Sequence, residues 1–201
     1  MMAAASRPTP RWFGAVLAIA CGCASTGCGA GGDASRTAPA VSPAPVPAPA
    51  GGTGLAPVAR GDAAVLGVLA AMDENEIALA RHGLARRLDG ATGDFARQML
   101  LAHQHDLEKA RAMGAADSDA AAAMRARGSA TLAALDAQTE ENPYRNAFMA
   151  AMASEHAAAL KTLDAELIPG ARSEAVRRHL LGVRRAVAEH YERAQAVSAS
   201  R

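Results

Sequence analysis

From Asp62 to the C-terminus, the apolar residues of this sequence recur at intervals of three and four, and nowhere do they alternate as a half-buried strand requires. A chain patterned in this way buries apolar surface by packing helical stripe against helical stripe, so the expected fold class is all-α. Half of the residues are hydrophobic and the larger part of these is Ala, while aromatics make up 3% of the chain. Beyond Phe13 the aromatics are Phe95, Tyr144, Phe148 and Tyr191. Such a core must consist of thin, closely packed helices. It also offers neither the exposed aromatic surface of a base-stacking platform nor the bulky lining of a flavin or haem pocket.

The stripes divide into four long segments. Asp62 opens the first, with Val65, Leu69, Met72 and Leu79 flanked by Leu66 and Ile77, and predicts a helix to about Leu88. Asp89-Gly90 ends it, Thr92 to Asp94 offer a new N-cap, and Phe95, Met99, Leu100, Leu107 and Ala110 carry a second helix toward Gly114. Asn142-Pro143 supplies an N-cap and a first-turn proline for a third helix, striped by Tyr144, Phe148, Met152, Ala159, Leu163 and Leu167 and ending at Pro169-Gly170. Ser173 caps the fourth, striped by Val176, Leu180, Val183, Val187, Ala194 and Val197. Its arginines 177, 178, 184 and 185 mostly lie off that stripe and read as a solvated face. Residues 115–141, interrupted at Gly128, read as a long, partly helical connection. Two helical hairpins joined by such a link predict a ferritin-like four-helix bundle over residues 61–198, with an up-and-down bundle carrying a fifth short helix as the alternative.

The first sixty residues differ in kind. Arg7 and Arg11 precede an apolar run from Trp12 to Ala24, followed by Ser25, Thr26 and Gly27, the pattern of a secretory signal. The run is shorter than the ~20 residues a membrane-spanning helix needs. Small residues before Cys28, and before Cys23, resemble a lipobox, in which the Cys is acylated and becomes the mature N-terminus. Cys28 is preferred, because cleavage at Cys21 would leave too short an apolar run. The alternative is simple cleavage at an Ala-rich site, releasing a soluble periplasmic protein. Residues 1–28 are therefore assigned to a signal peptide with a candidate lipid attachment site. Residues 29–60 hold prolines at 39, 43, 45, 47, 49 and 57 and almost no bulky apolar side chain, which predicts a disordered, semi-extended tether. All three cysteines fall at 21, 23 and 28, so no disulfide can staple the helical domain.

Charge excludes further classes. The formal net charge is +1, and residues 62–201 carry 17 Lys and Arg against 19 Asp and Glu, so no nucleic-acid or polyanion partner is implied. Neither a nucleophile constellation nor a glycine-rich phosphate loop is present, which disfavours ordinary hydrolytic or nucleotide-using enzymes.

One polar residue interrupts the stripe of each long helix: Glu76, four after Met72; His103, four after Met99; His156, four after Met152; and His190, three after Val187. A buried carboxylate or imidazole is costly unless partnered, and one shared ion would satisfy all four. One carboxylate with three imidazoles suits a transition-metal ion such as zinc, copper or iron. Counted from the predicted turns, Glu76 and His103 come level within ~3 Å, whereas His190 is offset from His156 by ~7 Å and is the weaker ligand. The competing reading is an internal network in which each His bonds a nearby carboxylate or backbone group. His82, His105 and His179 fall off the stripes and read as surface or edge residues. No Glu-x-x-His pair occurs, which argues against the usual di-iron carboxylate bundle.

Phe95-Ala96-Arg97-Gln98-Met99 leading to His103, then Phe148-x3-Met152-x3-His156 and a late His190, resemble bacterial domain-of-unknown-function family 4142. The resemblance covers roughly residues 62–197. It implies a ferritin-like envelope protein of the kind often labelled a predicted outer-membrane protein, and it places the family's Glu at Glu76 and its histidines at 103, 156 and 190. Ala102 stands where the family usually has Asp, and Tyr144-Arg145 where it has Phe-Asp. The family implies a compartment and a fold without an established reaction. Two functions follow as expectations: a tethered module binding one transition-metal ion for metal handling or stress tolerance, or a non-catalytic module presenting a helix face to an envelope partner. Oligomeric state is left open.

Overall fold

The computed structural model describes residues 61–200. The signal segment 1–28, with Cys23 and Cys28, and the tether 29–60 lie outside the described residues. Within them the chain is entirely helical: α1 (Asp62–Ala85), α2 (Gly90–Ala112), α3 (Asp119–Asp136), α4 (Glu141–Thr162), a π-helical turn (Leu163–Leu167), the short α5 (Ile168–Gly170) and α6 (Glu174–Ala199). None of these helices is long and apolar enough to cross a membrane.

Local chemistry explains several of the boundaries. Ser118 and Ser173 cap α3 and α6, each accepting a hydrogen bond from the backbone N–H three residues on. The Asp62 carboxylate accepts from the backbone N–H groups of Arg172 and Ser173, which ties the start of α1 to the turn before α6. Those bonds hold its pKa below the usual carboxylate range.

The connection between α2 and α4 is more ordered than its sequence suggested, because residues 119–136 form a full helix lying along α1. Gly128 permits this close approach, since a Cβ there would overlap the Asn75 side chain. Asn75 Nδ2 in turn donates to the Met124 carbonyl at 2.8 Å. The remaining long helices contact one another in the order α1, α2, α6, α4 and back to α1.

Two apolar clusters fill the interior. One joins Val65 to Ile77 of α1 with Leu107, Leu163, Leu167, Val176, Leu180, Val183 and Val187. The other joins Leu79 with Phe95, Met99, Tyr144, Phe148, Met149, Met152, Ala194 and Val197. Each fully buried Leu, Met or Phe contributes roughly 1.5–3 kcal/mol, so the two clusters supply the driving force for assembly. On α2, α4 and α6 the change from one cluster to the other falls at a histidine: His103 between Met99 and Leu107, His156 between Met152 and Leu163, His190 between Val187 and Ala194. A single polar layer thus divides the core.

Candidate metal centre

His103, His156 and His190 are each more than nine-tenths buried. Their ring centroids stand 5.7, 5.5 and 5.5 Å apart in edge-on pairs. One nitrogen from each lies within 4.8 Å of one from each of the others. His190 therefore belongs to the group, contrary to the offset expected from its position. The helical run of α4 continues to Gly170 and α6 begins at Glu174, so His156 and His190 sit 14 and 16 residues from the turn. That leaves a difference of only ~3 Å at ~1.5 Å per residue.

Each ring is held by its second nitrogen or by its surroundings. His103 Nδ1 bonds Asp73 Oδ1 at 2.9 Å, and because a carboxylate accepts, the proton is on Nδ1. His156 Nδ1 donates to the Met152 carbonyl at 2.7 Å, which fixes its tautomer likewise. Within these three rings the nitrogens left buried without a hydrogen-bond partner are His103 Nε2, His156 Nε2 and His190 Nδ1; outside them His179 Nε2 is in the same state. Ring nitrogens buried without partners are costly in an apolar core unless a ligand satisfies them.

Glu76 stands apart from this trio. Its Oε1 comes to 3.8 Å from His156 Nδ1, the protonated side of the ring, and it is Asp73 that meets His103. The reason is the end of α1 at Ala85, three residues earlier than expected. Asp73 is then 12 residues from the helix end and His103 is 13 residues into α2, nearly level, whereas Glu76 is ~6 Å nearer the turn. Asp73 escaped the sequence reading, although its spacing of four from Leu69 and three before Glu76 already placed it on the inward face.

The charges of the layer are set by burial. Desolvation raises Asp73 to about 6 and Glu76 to about 7, in neither case fully offset by His103. Burial depresses His156 to about 4 and His190 to about 3, and the His103 charge adds to both effects. Burial also pulls His103 down, but the Asp73 hydrogen bond and the Glu76 and Asp73 charges outweigh it and the net shift is upward. Asp73 Oδ2 and Glu76 Oε2 are buried without hydrogen-bond partners. A cavity of about 30 Å³ adjoins the layer, lined in part by Asp73, Glu76, His103, His156 and Glu155.

The other histidines divide. His105 is exposed. His82 is partly buried between the Tyr144 hydroxyl and Asp136 Oδ1, each at 2.7 Å. His179 is buried, a correction to its expected edge position, because it lies three after Val176 and four before Val183 on the inward face of α6.

The donor set suits a transition metal. A tetrahedral site with metal–nitrogen bonds of about 2.0–2.1 Å needs donors about 3.3–3.4 Å apart, and the three histidines offer donors that all lie within 4.8 Å of one another. An imidazole held at its far nitrogen by a carboxylate or carbonyl is the usual support of such a ligand. Three neutral imidazoles with two flanking carboxylates leave a formal charge of −2, which a divalent ion cancels. These residues can hold one ion.

An all-α protein with a buried trihistidine layer is the class defined by fold and site. The family model described as domain of unknown function (DUF4142) matches residues 45–197, more than half of the chain, and the chain belongs to that family. No curated protein and no solved structure matches it.

Proposed function

We propose that the protein is a ferritin-like, non-enzymatic metal-binding module of the cell envelope. In this reading it holds one divalent transition-metal ion, such as zinc, copper or iron, through His103 Nε2, His156 Nε2 and His190 Nδ1. Asp73 positions His103, and Glu76 supplies the second compensating carboxylate. The observation that carries the reading is the clustering of three buried histidines, each with one unpartnered ring nitrogen, in a layer where the apolar core is interrupted. The ring of contacts α1, α2, α6, α4, with α3 as crossover, supports the ferritin-like arrangement. The envelope location, with the domain held off the membrane by residues 29–60 and a lipid on Cys28, is supported by the charge and apolar pattern of the N-terminal segment.

Elemental analysis of the purified protein after loading and exhaustive dialysis tests this. About one equivalent should be retained by the wild type and none by the double variant His103→Ala/His156→Ala. Retention that is equal in both would refute the site.

A further inference from the structure

Four consecutive residues of α1 divide their work. Asp73 and Glu76 are buried and line the cavity, Asn75 both lines it and reaches α3, and Glu74 faces α2 and α3. Glu74 accepts from Arg111 of α2 and Arg125 of α3, both at 2.7 Å, and Asn75 donates to the Met124 carbonyl of α3. Thus α3 is clamped over the same stretch of α1 whose carboxylates flank the histidines.

Resting on the metal-binding reading above, we infer that the cation reaches the trihistidine layer through the cavity between α1, α3 and α4, with α3 as its cover and Arg127 and Glu155 as its rim. The lining runs from exposed Arg127 and partly buried Glu155 to buried His103 and His156. Its volume of about 30 Å³, against the ~10–15 Å³ that one water requires on the same measure, admits a few waters and not the full hydration shell of an ion. Carboxylate oxygens along the route replace that shell: Glu155 at the rim, then Glu76 and Asp73 at the inner wall. Glu155 accepts from Thr131 Oγ1 of α3 at 2.8 Å, so the rim carboxylate is itself held by the cover. Arg127 is the one Arg or Lys in the lining and opposes an approaching cation, which makes loading slow and sensitive to its charge.

The test uses the full chain, stripped with chelator, and follows zinc(II) transfer from an indicator dye at low ionic strength. Arg127→Glu should shorten the loading half-time roughly 3- to 10-fold, an effect that salt suppresses. Gly128→Ala, whose Cβ displaces Asn75 and loosens the cover, should also shorten it, and Ala158→Phe, which fills the cavity, should lengthen it. Final stoichiometry should be unchanged in all three. Arg127 is exposed, so its reversal tests the route even if a packing variant fails to fold. Half-times equal to wild type, at equal stoichiometry, would overturn the route and leave the site standing. No histidine-dependent uptake by the wild type would instead overturn the metal-binding reading itself.

Discussion

Asp73 Oδ1 and His103 Nδ1 lie 2.9 Å apart, and both residues are almost completely buried. This bond joins α1 to α2 across the core and leaves His103 Nε2 buried without a hydrogen-bond partner, in a ring that packs edge-on against His156 and His190. Its consequence is a trade in the metal-free state. Asp73 is desolvated for the sake of the ring it holds, and burial raises its pKa to about 6.

Asp73→Asn keeps the shape but removes the charge and most of the hold on the His103 tautomer. Metal affinity should fall by about 10- to 100-fold, the usual effect of losing a carboxylate behind a ligating imidazole. Chelator competition measures it. Affinity within twofold of wild type would show that the bond does not serve the site.

Glu76 makes a prediction about pH. Its pKa is raised from 4.5 to about 7, chiefly by desolvation, so the folded protein binds a proton that the unfolded chain has released between those values. Stability from this group is therefore lost as pH rises from 4.5 to about 7, and the full penalty is present above that. In metal-free protein, Glu76→Gln should raise stability at pH 8 by about 1–3 kcal/mol and give no gain near pH 4. Urea denaturation at the two pH values decides it, and a gain of equal size at both would contradict the linkage.

Gly67 is a packing constraint remote from the histidines. A Cβ at that position would overlap the Ala116 carbonyl, in the segment where the Ala116 N–H bonds the Ala63 carbonyl at 2.9 Å. Gly67→Ala should therefore destabilise the fold by about 1–3 kcal/mol, since backbone must move to make room. Equilibrium unfolding reads this directly. A neutral or stabilising effect would mean that the α2–α3 connection yields easily.

Much of this architecture is legible in the sequence. Stripes at three and four locate α1, α2, α4 and α6, and the serine cap at 173 follows from residue type. The histidines announce themselves by interrupting stripes at Met99, Met152 and Val187, positions where an apolar side chain is otherwise expected. Two features are less legible for the same physical reason. Helix ends set relative height, and a boundary error of three residues at Ala85 exchanges Asp73 for Glu76 as the partner of His103. Extension of helical structure to Gly170 likewise brings His190 level with its partners. The helix at 119–136 was hidden by Gly128, which reads as a breaker but serves here as a contact point for Asn75. Propensity reports a glycine's local cost, while its packing value depends on a neighbour distant in sequence.

X-ray absorption at the metal edge of the loaded protein tests the central claim most directly. The expected spectrum is that of one ion with three imidazole nitrogens at about 2.0–2.1 Å and the outer-ring scattering that imidazoles give. That scattering should diminish in His190→Ala. A shell of oxygen donors without imidazole scattering, or a spectrum unchanged by that substitution, would contradict it.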